Sequence, residues 1–315
     1  MLEDVCMSTT APQVALAIRN ILVATDFSPC SERALLHAVA AAHHFGSTLH
    51  LAHVVQPATF AFVPPEGYLG TAVAIAQAVD LARTEAADLL DQVLRTANCL
   101  DLNRRTWVNA GAVGETLRVI MAREHIDFVV VGTHAKTGLL KLVLGSVAED
   151  IFRNAPCPVL TVGPHSWQSD PRSVRLKHIL FPTDFSADSA RALLLARAVA
   201  ADFGAAMTLL HVVERPDSEA ARDPARLVSA LQGRMRDMLA SAGPMPPDAR
   251  FEVTIGDVAE EVIATAKSLS VDLIAFGLKA PDTYVDRLPW MHAYKVVCEV
   301  GCPVLSLRGP SALHT

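Results

Sequence analysis

The segment from Val131 to Glu149, VGTHAKTGLLKLVLGSVAE, has the residue types and spacing to hold an anion. Gly145-Ser146 stands directly ahead of a stretch patterned as a helix over about Ser146–Arg153. The first N–H groups of a helix have no carbonyl partners inside it, and the helix dipole favours negative charge at that end. A phosphate can sit against such a start, with the Ser146 hydroxyl as a further donor. Gly132 closes the preceding apolar run and lets the chain pass close to a ligand. Lys136 and Lys141 bring positive charge to the loop, and His134 is placed to touch a phosphate. The chain has no GK[ST] ending of a phosphate-binding P-loop, no G-x-S-x-G elbow and no dinucleotide glycine fingerprint. No general base or magnesium cluster stands out, so any hydrolysis is expected to be slow.

Positioning this loop needs a strand before it and a helix after it, and the chain supplies that arrangement twice. Residues 21–55 match residues 179–213 at a constant offset of 158, through Thr25/Thr183, Asp26/Asp184, Phe27/Phe185, Ser28/Ser186, Gly46/Gly204 and His53/His211. The later halves match at an offset of 145, with Gly111 on Gly256, HIDFVVVG on SVDLIAFG and NAPCPVLTV on EVGCPVLSL. Repeat 1 therefore carries 13 extra residues between Val55 and Gly111.

Each repeat opens on a short apolar run, then a serine suited to capping an Ala/Leu-rich helix that stops at Gly46 or Gly204. A second apolar run follows, Leu49–Val55 or Met207–Val213. Fully apolar strands separated by helices pair in parallel through right-handed crossovers. Repeat 1 continues with a helix over about Ala74–Ala97, striped by Leu89, Leu90, Val93 and Leu94, and another from about Glu115. The expected fold class is α/β: two tandem open parallel-sheet domains, Rossmann-like and five-stranded, with helices on both faces. The expected divisions are a tail over 1–20, domain 1 over 21–162, a polar linker over 163–176, domain 2 over 177–309 and a tail over 310–315. In an open α/β sheet ligands bind at the carboxyl ends of the strands, beside the topological switch. Asp26, Val54 and Gly132 fall there, with Asp26 also suited to tying its own turn.

These features together resemble the universal stress protein family in its tandem two-domain form. The family loop runs glycine, two residues, glycine, nine residues, then glycine and serine or threonine. Here it reads Gly132, Ala135 in place of the second glycine, then Gly145-Ser146, alongside the TDFS turn and the CPVL closing strand. The resemblance covers both repeats. It implies ATP or AMP as ligand, with Mg2+ possible alongside ATP. Asp26 would reach the ribose or adenine side, and Ala24, Val54 and Val131 would line the base. Gly132, Gly145, Ser146 and Val147 would hold the phosphates, and Ala135 puts a Cβ where the family has none. The resemblance also implies pairing of the two repeats through Pro158–Val162 and Pro303–Leu307, and a possible homodimer.

Repeat 2 departs further. The offset puts Gly277 at Gly132, Ala280 at Ala135, Trp290 at Gly145 and Met291 at Ser146. An indole would take phosphate space and the hydroxyl is gone, while Pro182, Asp184 and Val212 keep the nucleoside half. Domain 2 is therefore expected to have a degenerate site and a structural or regulatory role, with Trp290 packed between the repeats or the pocket reshaped for another small ligand. The expected function is a stress-response or signalling protein whose nucleotide state is read by an unknown protein partner. The competing reading is a ligand-free interaction scaffold with vestigial nucleotide sites.

Composition sets the outer bounds. The 315 residues are 51% hydrophobic, enough for large cores, and the formal net charge of −6 speaks against a nucleic-acid partner. Six widely spaced cysteines without a CxxC pair suit a reducing compartment. The first residues lack a basic leader and no apolar run reaches membrane-spanning length, so a cytoplasmic protein without a membrane partner is expected. His37, His43, His44 and His50 have no histidine counterparts in repeat 2, which speaks against a metal site. His53 and His211 are expected to be buried and hydrogen-bonded, and Cys30 to lie nearest the pocket mouth. The loop with Phe60, Phe62, Pro64, Pro65 and Tyr68 is suited to covering its own domain or a ligand.

Overall fold

The computed structural model describes residues 16–56, 68–133, 145–166, 175–214, 223–246, 248–278 and 287–308; for 68–72 and 287–290 it describes the backbone only. Domain 1 runs β1 (Asn20–Ala24), α1 (Pro29–Phe45), β2 (Thr48–Val55), α2 (Tyr68–Thr96), β3 (Arg104–Ala110), α3 (Val113–Arg123), β4 (Phe128–Gly132), α4 (Ser146–Asn154) and β5 (Val159–Val162). Domain 2 runs β6 (His178–Pro182), α5 (Ala187–Phe203), β7 (Ala206–Val213), α6 (Pro224–Ser241), β8 (Arg250–Ile255), α7 (Val258–Ser268), β9 (Leu273–Leu278), α8 (Arg287–Glu299) and β10 (Val304–Arg308). The ten strands form one sheet in the order β3-β2-β1-β4-β5-β10-β9-β6-β7-β8. Each half is parallel, and the halves join through the antiparallel pair β5–β10, with Leu160 opposite Leu305. Each half reverses its strand order beside its first strand, between β1 and β4 and between β6 and β9.

Local sequence explains the repeated helices. The Ser28 side chain caps α1 by accepting the Ser31 N–H, Pro29 presets the first turn, and Gly46 ends the helix in the left-handed region at φ 68°. Ser186 and Gly204 (φ 63°) do the same for α5. In α2, Leu90 and Leu94 are buried and Val93 is half-buried, whereas Leu89 is exposed. Leu90 and Leu94 are one turn apart and share the inner face; Leu89 falls outside it. The helix also begins six residues ahead of the expected Ala74.

Two hydrophobic clusters cover the two faces of the sheet, and both run through both domains. One gathers Leu35, Leu90, Leu193 and Met235 from α1, α2, α5 and α6. The other gathers Ile120, Ile151, Val262 and Val297 from α3, α4, α7 and α8. At the domain junction the His44 ring stacks on Phe203 at 4.2 Å and bonds Asp202 at 2.5 Å. On the opposite face Arg153 Nε donates to the Tyr294 hydroxyl at 2.5 Å. Among the described residues no helix is long and apolar enough to cross a membrane.

Candidate functional site

The carboxyl edge of each half-sheet begins with the TDFS turn. Thr25 Oγ1 accepts the Phe27 N–H at 3.0 Å and bonds Ser31 Oγ at 3.0 Å. Asp26 Oδ1 accepts the Ser28 N–H at 3.1 Å. Thr183, Asp184, Ser186 and Ser189 repeat this in domain 2, at 3.1, 2.8 and 2.9 Å. The turn forces Phe27 to φ 62° and Phe185 to φ 61°, a conformation bulky residues seldom adopt. The neighbouring strand supplies a further tie. His53 Nδ1 donates to the Thr25 carbonyl at 2.9 Å, and His211 Nδ1 to the Thr183 carbonyl at 2.8 Å. Their rings lie 4.5 and 4.6 Å from Phe27 and Phe185. Each histidine is half-buried and engaged in holding the turn.

The glycines separate into two kinds. A Cβ on Gly132 would lie 2.3 Å from the Cys30 carbonyl oxygen, and one on Gly277 would lie 2.4 Å from that of Asp188. The helix after the turn packs directly on the strand end, and the missing side chain serves that contact in both domains. Gly145 is different: a Cβ there would meet nothing within 4 Å, and φ −57°, ψ 147° suits any residue. What Gly145 provides is an open helix start, since α4 has no side-chain cap. Helix α3 likewise begins at Ala112 without a side-chain cap.

The two helix starts converge. Ser146, Val147 and Asp150 of α4 share a cleft of about 530 Å³ with Gln56, Ala112 and Gly114. Asp150 there bonds Arg118 and Asn154 at 3.0 and 2.7 Å. Ala24, Val54, Val131 and Gly132 stand along the same edge on β1, β2 and β4, with Asp26 in the turn after β1; Val54 and Val131 are buried and Asp26 is exposed. Ala135, His134, Lys136, Lys141 and the Phe60–Pro65 loop lie outside the described residues.

Domain 2 holds a larger cavity, about 860 Å³, at its own carboxyl edge. Pro182, Asp184, Val212 and Gly277 line it, as do Glu214 and His292. These are the counterparts of Ala24, Asp26, Val54, Gly132, Gln56 and Val147. The Trp290 side chain lies outside the described residues. Helix α8, however, begins at Arg287, one turn ahead of the residue matching Ser146. Met291 and His292 are thereby inside the helix, where backbone N–H groups bond carbonyls of the preceding turn. Helix α7 is capped by Asp257, which accepts the Glu260 N–H at 3.0 Å, and that bond, more than nearby His292 and Lys295, holds the carboxyl below its usual range.

The universal stress protein family model matches residues 17–163 and again residues 175–308. The chain belongs to that family. Its two universal stress domains follow one after the other with little between them. A universal stress protein of Methanocaldococcus jannaschii is 31% identical over 144 residues, covering 46% of this chain and 81% of that protein. A Coxiella burnetii homologue of universal stress protein A is 32% identical over 147 residues, 46% of this chain and 95% of that protein. A universal stress protein structure from Archaeoglobus fulgidus spans 92% of this chain and 98% of its own at 18% identity, TM-score 0.66.

Two groups of residues in these domains escape motif reading. The capping difference between Ala112 and Asp257 and the exchange of Gln56 for Glu214 lie at aligned positions well ahead of the family loop in sequence. The aligned repeats carry the signal; the loop pattern alone does not. Cys30 is buried on α1, with Arg33 donating to its sulfur at 3.1 Å. Burial pushes the Cys157 and Cys302 thiols up to about 12, which keeps both protonated near neutral pH. Among the described residues no group of three His, Cys, Asp or Glu side chains stands together to hold a metal. The lone carboxylate among the described cleft residues of domain 1, Asp150, is engaged by Arg118 and by itself does not make a Mg2+ site.

Proposed function

We propose that domain 1 binds an adenine nucleotide, ATP or AMP, with little or no hydrolysis, and that domain 2 serves a structural or regulatory role. The observation that carries this reading is the cleft where the starts of α3 and α4 meet, neither closed by a side-chain cap. Two helix starts without a side-chain cap turn their first N–H groups and two dipole ends towards a phosphate. Ser146 adds its hydroxyl, and Val147 and the N–H groups behind it complete the cradle. The nucleoside would lie along β1, β2 and β4, against Ala24, Asp26, Val54, Val131 and Gly132, with Ala135 at the loop. The output is a binding state read by a protein partner, in a cytoplasmic stress-response or signalling setting, with the chain able to form a homodimer.

The test is calorimetric titration of the full chain with ATP and AMP. Saturable binding is expected, and Gly145→Trp should abolish it, because the indole fills space that lies open in front of α4. Absence of heat and of thermal stabilisation with every adenine nucleotide would overturn the reading.

A further inference from the structure

We infer that the cavity of domain 2 binds a small organic cation, a protonated amine carried on an apolar body. The body has its place first. Leu210, Val212, Val258, Val262, Phe276 and Ala293 form walls of a cavity of about 860 Å³, a volume typical of small-molecule sites. The polar groups then set the charge. The two repeats superpose in register at this point, since Gly111 N–H donates to the Val55 carbonyl at 3.0 Å and Gly256 N–H to the Val213 carbonyl at 3.2 Å. The residue after Val55 is Gln56, and the residue after Val213 is Glu214. The residue after Gly111 is Ala112, and the residue after Gly256 is Asp257. Domain 2 thus carries two carboxylates where domain 1 has neutral side chains, and it keeps Asp184 where domain 1 has Asp26.

The charges around that edge do not cancel. His292 stands 3.7 Å from Glu214 and 3.9 Å from Asp257. Lys295 reaches Asp257 at 4.0 Å and Glu260 at 2.9 Å. Among the described residues, Asp184 and Glu214 line the cavity together with His211 and His292, and Asp257, Glu260 and Lys295 stand beyond the lining, so four carboxylates there face one lysine and two histidines. The backbone gives an anion no relief, because the extra turn of α8 ties up the donors that α4 leaves open. Carboxylates at the rim of a largely apolar pocket favour a cation and repel an anion, although their exposure lets solvent and salt weaken the effect.

The test compares three probes that share one indole body and differ in charge: tryptamine, tryptophol and indole-3-acetate, each titrated into the full chain by calorimetry. Tryptamine should saturate, at least about tenfold tighter than indole-3-acetate, with tryptophol between them. Glu214 is exposed, so its replacement leaves the core intact. Glu214→Gln should weaken tryptamine several-fold, and Glu214→Lys should reverse the order of tryptamine and indole-3-acetate. Gly145→Trp should leave tryptamine binding unchanged, which separates this site from the nucleotide cleft of domain 1. The inference falls if tryptamine does not saturate, if indole-3-acetate binds as tightly, if Glu214→Lys leaves the order unaltered, or if Gly145→Trp removes tryptamine binding.

Discussion

Helices α4 and α8 occupy the same place in the two domains, yet one begins at Ser146 and the other a full turn earlier than its match, at Arg287. The same scaffold therefore presents open N–H groups in domain 1 and a continuous helix in domain 2. The difference shows that a duplicated fold can keep its packing while one helix start shifts by a turn and two side chains change at the sheet edge. Variants that should affect both domains equally, or in opposite directions, separate what the repeats share from what divides them.

The largest effect is expected at a shared feature. Gly132→Val and Gly277→Val each force a Cβ to 2.3 or 2.4 Å from a backbone carbonyl oxygen, well inside van der Waals contact, and nothing flexible stands in the way to yield. Overpacking against backbone should cost about 3 kcal/mol or more in each domain. Urea denaturation of the two variants measures it. A cost under about 1 kcal/mol in either domain would mean that the strand end and the helix after the turn are not locked together as described.

Much of this was readable from sequence. Ser28 and Ser186 announced helix starts, Gly46 and Gly204 announced stops, and the two offsets matched β1, β2, β4 and β5 with β6, β7, β9 and β10. Gly132 was also prominent, but its spacing to Gly145 drew it into the loop pattern. Its retention at Gly277, in the repeat that lacks Gly145-Ser146, was the sign of a packing role, because a phosphate contact has no reason to persist where the phosphate donors are gone. The start of α8 was not readable. Pro289 lies in its first turn, where the missing N–H costs no helical bond, so a residue that usually marks a break is accommodated there. Leu89 failed for a simpler reason: four apolar residues in six exceed one helical face, and sequence alone does not say which one is left outside.

A second comparison concerns the junction between the domains. His37 and Leu195 are aligned residues of the two repeats, and both line the small apolar cavity between α1 and α5. Burial lowers the His37 pKa to about 4, so the folded protein holds it neutral. The unfolded chain takes up a proton near the ordinary value of 6.5. Stability from this residue is therefore intact above about pH 6.5 and lost as pH falls towards 4, by about 3 kcal/mol at most. His37→Leu makes the junction alike on both sides and should remove that part of the acid sensitivity. Denaturation curves at pH 7 and pH 4.5 for the two proteins give the comparison; an unchanged pH dependence would place the imidazole in water.

The smallest effect is the most discriminating, because it is expected to change sign between domains. Ala112 and Asp257 begin α3 and α7 with nearly the same backbone, φ −72°, ψ 123° and φ −70°, ψ 129°. Asp257→Ala removes a cap and should cost about 1 kcal/mol. Ala112→Asp meets no backbone obstacle and should stabilise domain 1 by up to a similar amount. Its carboxylate, however, would accept the N–H groups of α3 and place a negative charge in the cleft with Ser146 and Val147. Stability should rise while ATP affinity falls, roughly tenfold for a charge so close to a phosphate. A structural role for the open start of α3 predicts the first change without the second. Thermal denaturation and ATP titration of the same Ala112→Asp sample therefore decide whether α3 was left uncapped for a ligand: higher stability with undiminished ATP binding would remove the phosphates from that cleft.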